Sequence, residues 1–266
     1  MKSAKEKQLE ASIQELLGGK ASELFALLCD DEEVRALQDY ANMVSLNRMH
    51  YNDHGAVHMR TAARNALVIA NILHTANIEF NLEREGPYTY TDAQMALVLS
   101  AMLHDIGMTV GREAHERIGT MLALPIIDRL LALMYPGEML RRIAIRSVSL
   151  ECIAGHMASR RVHTLEAGTI LIADGCDMKK GRARIPMILN HEPKPGDIHQ
   201  YSAAAIEDLL LEPGTRCPLK ITVLMSSSVG FFQVEEVLFP KIESSTVKPY
   251  IELYAGKPGE ELRCYL

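Results

Sequence analysis

Apolar residues recur at helical spacing over most of the chain. Leu9, Ile13, Leu16 and Leu17 mark one face of a first helix, and Leu24, Leu27, Leu28 and Val34 mark a second amphipathic stretch. A longer helical pattern runs from Ala56 to Ile78, followed by a loop from Asn81 to Tyr90 that carries the Gly86-Pro87 break. The segment Thr91 to Leu103 is different, because Met95, Leu97, Val98, Leu99, Met102 and Leu103 leave it apolar on every side, with Thr91 or Asp92 as the N-cap. A helix without a polar face has to be central. It stops at His104, Asp105, Ile106 and Gly107, where a glycine suits the left-handed conformation that closes helices. Further helices are predicted over 115–135, 138–157, 164–180 and 199–211, the last two separated by a loop holding Pro193, Pro195 and Gly196.

Past Pro213-Gly214 the pattern shortens. Leu219 to Met225 is β-branched, and Pro249 to Tyr254 alternates Ile251 and Leu253 with Glu252 and Tyr254. Between them, Ser226 to Ser228 can cap a helix bearing Phe231, Val234, Leu238 and Ile242 on one side. The expected order is β-α-β, with a plain β-hairpin as the alternative. The fold class is therefore mainly α: a helical domain over 1–212 and a small α/β appendage over 213–266. Roughly fifty residues bury little core alone, so the appendage is expected to pack on the helices or against the second subunit of a homodimer.

Composition narrows the function classes. A chain of 266 residues with 48% hydrophobic residues forms a sizeable core. Its formal charge of −6 argues against an extended nucleic-acid surface, which has to be basic to neutralise phosphates. No apolar run reaches the roughly 18 residues that span a bilayer, and MKSAKEKQLE does not read as a signal peptide. The expected location is cytoplasmic, with no membrane partner. The five cysteines are scattered and never spaced as CxxC, which indicates buried thiols rather than a disulfide frame or thiolate zinc site. Met95, Met102, Met121 and Met134 read as core filling.

The ten histidines carry the chemistry. His104-Asp105 closes a helix too apolar to bury two polar groups uncompensated. Taken alone, His104 is as well read as a core histidine bonded to backbone. His58, His115, His156 and Asp174 repeat the situation, each an isolated polar residue beside apolar neighbours. Four imidazoles and two carboxylates without sulfur suit Mn, Fe, Co, Ni or Zn, and helical bundles build metal sites from inward-facing side chains.

His58, then His104-Asp105 within HDIG (104–107), then Asp174 resembles the H…HD…D signature of the HD-domain superfamily of metal-dependent phosphohydrolases. His115 in HisGluArgIleGly (115–119) and His156 in AlaGlyHis (154–156) resemble the added histidines of members that hold two metals. The resemblance covers about residues 50–185. It implies an HD-domain helical bundle with two divalent transition metals per chain, His58, His104, Asp105 and Asp174 on the first and His115 and His156 on the second, with Asp105 bridging. Paired cations lower the pKa of a bridging water and stabilise phosphoryl oxygens.

One departure concerns the substrate. The cyclic-dinucleotide phosphodiesterases of this superfamily continue HDIG with Lys and carry a GYP tripeptide, whereas here Met108 follows and no GYP is present. Other cations lie close in sequence: Arg112, and Lys179, Lys180, Arg182 and Arg184 after Asp174. These are either phosphate-binding residues or a solvated helix end. Asp177 can orient a ligand or cap that basic cluster. His54, one helical turn before His58, is a candidate catalytic residue touching a ligand or substrate. His50, His74, His163, His191 and His199 read as surface residues.

The expected activity is hydrolysis of a phosphomonoester or phosphodiester of a nucleotide by metal-activated hydroxide at a dinuclear site, with Asp105 and His54 in catalytic roles. The partner is a small phosphorylated substrate. Two other readings stay open: a di-iron HD-type oxygenase, and a nucleotide-binding regulatory module without turnover.

Overall fold

Local capping chemistry sets where the helices begin. Ser3 Oγ accepts from the Glu6 amide at 3.2 Å while Glu6 accepts from the Ser3 amide at 2.7 Å, and this reciprocal box starts α1 (Ala4–Leu16). Asp31 accepts from the Val34 amide and splits the second amphipathic stretch into α2 (Gly19–Asp30) and α3 (Glu32–Met43). The computed structural model describes residues 2–49, 51–178 and 198–266.

The helices continue with α4 (Ala56–Thr75), α5 (Asn81–Glu85), α6 (Tyr90–Leu103), α7 (His115–Met134), α8 (Met139–Gly155), α9 (Leu165–Gly175) and α10 (Ile198–Ala204). Every residue of α6 from Asp92 to Leu103 is buried, and the helix packs against α2, α4, α8 and α9. It is the central rod of the bundle, as its all-round apolar pattern requires. Fully burying each of Leu97, Leu99 and Leu103 contributes about 1.5–3 kcal/mol. That burial carries the end of α6, with His104 and Asp105, into the middle of the molecule.

Four strands follow: β1 (Ile206–Pro213), β2 (Leu219–Met225), β3 (Ile251–Gly256) and β4 (Arg263–Cys264), in spatial order β1-β2-β3-β4. β1 and β2 pair antiparallel, with Leu209 opposite Val223, whereas β2 and β3 pair in parallel, with Ile221 opposite Leu253. The crossover between β2 and β3 is a helical run made of Phe231–Gln233, a π turn Val234–Leu238 and Phe239–Glu243, and it buries Val234, Leu238 and Ile242. This is the β-α-β unit expected from the sequence. A single apolar cluster extends from Ile13 through α4, α6 and α9 to Val223 and Ala255, so the sheet packs on the helices.

Several local expectations are corrected. The helix expected over 199–211 stops at Ala204, and Ile206–Pro213 is a strand. Leu209, Leu210 and Leu211 satisfy either pattern, and the ladder with β2 decides it. The helix expected over 164–180 ends at Gly175, while part of the loop expected over 81–90 is helical as α5. Thr89, not Thr91 or Asp92, caps α6: Asp92 accepts from both the amide and the hydroxyl of Thr89, at 2.7 and 3.0 Å. Ser227 makes no capping bond to the crossover, and Ser226 donates instead to the Ala205 carbonyl. Met95, Met102 and Met134 are buried as expected, but Met121 is 74% exposed on α7. Cys29, Cys152 and Cys176 are buried free thiols, while Cys264 is exposed. No helix among the described residues is long and apolar enough to cross a membrane.

Candidate metal centre

The ends of helices deliver most of the predicted ligands. His58 lies in the first turn of α4; His104 follows the last residue of α6; His115 opens α7; His156 follows the last residue of α8; Asp174 is the penultimate residue of α9. Asp105 starts the turn that becomes a short 3₁₀ helix, Ile106–Thr109. A polar side chain at a helix end reaches the interior without interrupting an apolar stripe. This is why each looked isolated in the sequence.

Gly107 fixes the approach of this turn to α7. Its φ is not positive, so the left-handed role expected for it is not the one it plays. A Cβ at this position would stand 2.0 Å from the His115 carbonyl oxygen and 2.7 Å from the Gly119 amide nitrogen. Glycine is required by contact, not by dihedral. Ala114, just before His115, and Ala158, two residues after His156, are left-handed, with φ of 53° and 58°. Such backbone costs about 1–2 kcal/mol outside glycine, and it flanks both histidines on this side of the site.

The six side chains converge into two donor sets that share Asp105. His58 Nε2 lies 3.1 Å from His104 Nε2, 3.2 Å from Asp105 Oδ2 and 3.2 Å from Asp174 Oδ1, and His104 Nε2 is 3.3 Å from Asp105 Oδ2. On the other side, His115 Nε2 lies 3.1 Å from His156 Nε2 and 3.3 Å from Asp105 Oδ1, with His156 Nε2 3.5 Å from that same oxygen. Ligands bound about 2.0–2.2 Å from one ion stand roughly 3–3.5 Å from one another. The separations in both sets match that spacing. All six residues are at least 90% buried.

The ring protons decide how the sets are to be read. His58 Nδ1 is 2.7 Å from Asp177 Oδ2, His104 Nδ1 is 2.9 Å from the Ala101 carbonyl, His115 Nδ1 is 2.9 Å from the Arg112 carbonyl and His156 Nδ1 is 2.7 Å from the Ile153 carbonyl. Each of those oxygens can only accept, so each Nδ1 carries a proton, and a neutral ring so held turns its Nε2 lone pair inward. Four lone pairs and two carboxylates facing one another repel unless protons or a metal cation sit among them. The buried His and Asp groups, His58, His104, Asp105, His156 and Asp174, could therefore hold a metal ion.

Burial opposes ionisation of Asp105, yet His104 and His54 beside it hold its carboxyl well below the usual carboxylate range. Burial likewise opposes Asp174, and Lys241 followed by His58 keeps it well below that range. Burial pushes the His156 imidazole below its ordinary value, which favours the neutral ring a metal needs.

Around the donors stand residues that the sequence placed less surely. Asp177 orients His58. His54 precedes α4, and its Nδ1 lies 2.6 Å from the Asn52 carbonyl and 2.9 Å from Ser45 Oγ, with its ring centroid 5.7 Å from that of His58. Ser45 lies on a π turn, Val44–Arg48, that continues α3. Arg112 presents its carbonyl to His115, while its guanidinium lies near Met157 Sδ and over the Tyr51 ring at 5.8 Å. Lys179, Lys180, Arg182 and Arg184 lie outside the described residues. His74 and His163 are exposed, as expected; His50 and His191 also lie outside the described residues.

One cation was not anticipated. Lys241, from the crossover of the C-terminal sheet, donates Nζ to Asp174 Oδ2 and, at 3.0 Å, to the His156 carbonyl. The available signal was a lysine three residues after Leu238, on the face that buries Leu238 and Ile242. Beyond Asp177, between α1, α4 and β1, opens a cavity of about 950 Å³. Among the described residues, Asp53, Asp177, Glu207, Asp208 and Glu212 outnumber Lys5 and Arg64 along its wall.

Comparison with known proteins finds similarity to the uncharacterized protein MJ1020 of Methanocaldococcus jannaschii, which is 35% identical over 245 residues, 92% of each chain. No protein-family model and no solved structure matches the sequence.

Proposed function

The chain belongs to the family of the Methanocaldococcus jannaschii protein MJ1020, and from its buried donor sets we propose that it is a metal-dependent phosphohydrolase with a dinuclear centre. The observation that carries the reading is Asp105, whose two oxygens face different donor sets, Oδ2 toward His58 and His104 and Oδ1 toward His115 and His156. A carboxylate so placed could serve an ion on each side. Two divalent transition ions of the Mn, Fe, Co, Ni or Zn group, when bound, would supply an activated water and charge stabilisation for phosphoryl oxygens.

The side chains of this chain set the rest. Four neutral imidazoles and two carboxylates would leave two dications with net positive charge, to which Lys241 would add. A buried positive centre favours an anionic substrate, as a phosphate ester is. Asp105 holds both sets in one register. Asp177 and the carbonyls of Ala101, Arg112 and Ile153 keep each imidazole in the metal-binding tautomer. His54, beside His58, would exchange a proton with the substrate or the attacking water, and Arg112, whose carbonyl holds His115, would turn its guanidinium to a phosphoryl oxygen. A chain of charge −6 favours a small nucleotide over polymeric nucleic acid.

Elemental analysis of protein purified without added metal, paired with a panel of phosphomonoesters and linear and cyclic nucleotides supplied with Mn²⁺, tests the proposal. Two metal equivalents with release of phosphate or ring opening support it. Two iron equivalents with oxygen-dependent turnover and no hydrolysis select an oxygenase, and tight nucleotide binding without turnover selects a regulatory module.

A further inference from the structure

We propose that the C-terminal sheet is part of the metal centre, and that Lys241 is its positioning residue, holding Asp174 so that only Oδ1 faces the first donor set. The inference rests on the metal reading above but not on the substrate. Asp174 turns Oδ1 to His58 Nε2 at 3.2 Å, while Oδ2 is taken by Lys241 Nζ. With Oδ2 occupied, the carboxylate offers one oxygen to an ion. The same ammonium binds the carbonyl of His156, whose ring belongs to the other set. One cation thus ties a ligand of each set to the same point of the crossover.

Packing shows that the placement is built in. The lysine side chain is only 12% exposed, which is uncommon for this residue without a specific partner. Gly175, next to Asp174, makes room for it: a Cβ there would stand 3.0 Å from Lys241 Cδ and 3.4 Å from Leu238 Cδ1. The crossover is fastened to α9 at its far end as well, where Ser245 Oγ donates to the Gly168 carbonyl at 2.9 Å and Thr246 Oγ1 to the Thr164 carbonyl at 2.8 Å. On either side of Lys241, Leu238 and Ile242 are fully buried. The lysine reaches Asp174 from a segment anchored on both sides of it.

Co²⁺ bound to the full-length protein reports the carboxylate directly, because its visible absorption weakens as coordination number rises. Lys241→Met should let Asp174 Oδ2 reach the ion, weakening the Co²⁺ bands at unchanged stoichiometry, and Lys241→Arg should restore them by renewing the bond to Oδ2. Spectra of Lys241→Met that superimpose on the parent at equal Co²⁺ content overturn the proposal. Where Lys241→Met fails to fold by circular dichroism, Lys241→Ala carries the test, since it removes the ammonium without adding bulk; it should weaken the same bands, and an unmoved spectrum overturns the proposal. A spectral response in a protein that hydrolyses no phosphoester leaves this inference standing and removes the phosphohydrolase reading alone.

Discussion

His58 Nδ1 and Asp177 Oδ2 lie 2.7 Å apart, joining the first turn of α4 to the residues just past α9. The bond fixes the tautomer and orientation of an imidazole whose Nε2 is central to the first donor set. Partners of this kind typically change metal affinity about 10–100-fold when removed. Asp177→Ala should weaken binding at the first site by that factor and leave the second equivalent bound, measured by competition with a calibrated chelator; unchanged affinity would exclude an orienting role for Asp177.

Asp105 faces both sets, whereas His115 and His156 face only one. Asp105→Ala should therefore abolish both metal equivalents, while His115→Ala or His156→Ala should cost one. Inductively coupled plasma analysis distinguishes the two outcomes. Full stoichiometry in Asp105→Ala would exclude a bridging role.

Gly107→Ala places a methyl carbon 2.0 Å from the carbonyl oxygen of His115. Backbone has to shift to accept it. The expected loss of stability is about 1–3 kcal/mol, as for other overpacked sites, and the second metal equivalent should leave before the first because His115 moves most. Equal thermal midpoints for parent and variant would show that the turn yields freely.

Acidification should destabilise the metal-free protein before the carboxylates titrate. Burial lowers the folded pKa of His156 below its ordinary 6.5. The unfolded chain then binds the extra proton first, so the stability associated with a neutral His156 is present above about pH 6.5 and is lost as pH falls through the lower folded value. Asp105 and Asp174 also have lowered folded values, and their contribution is lost only in more acidic solution, below the ordinary 3.8. Urea midpoints of the apo protein should fall between pH 7 and 5, and His156→Gln should flatten that slope; an equal slope in the variant would assign the dependence elsewhere.

The helical bundle was legible because α6 has no polar face, and a helix of that pattern has only one place to go. The six inward side chains were legible for a related reason: each is an isolated polar residue beside apolar neighbours, and burial makes such residues costly unless they share a ligand. What escaped was non-local. Whether Ile206–Pro213 is helix or strand depends on β2, not on its own leucines. Gly107 looked like a helix terminator, but its role is set by α7, eight to twelve residues farther along the chain. Lys241 could not be read as part of the site from its neighbours, because its partners, Asp174 and His156, are separated from it by 67 and 85 residues.

The parallel pairing of β2 with β3 has a consequence for how the molecule is made. Parallel neighbours cannot form until the connection between them is complete, and here that connection bears Lys241. During synthesis, all six imidazole and carboxylate donors leave the ribosome before the group that steadies Asp174. A nascent chain arrested near residue 205 would then present all six donors with both oxygens of Asp174 still free to turn inward, and the choice of one of them would be made only once the final strands have emerged.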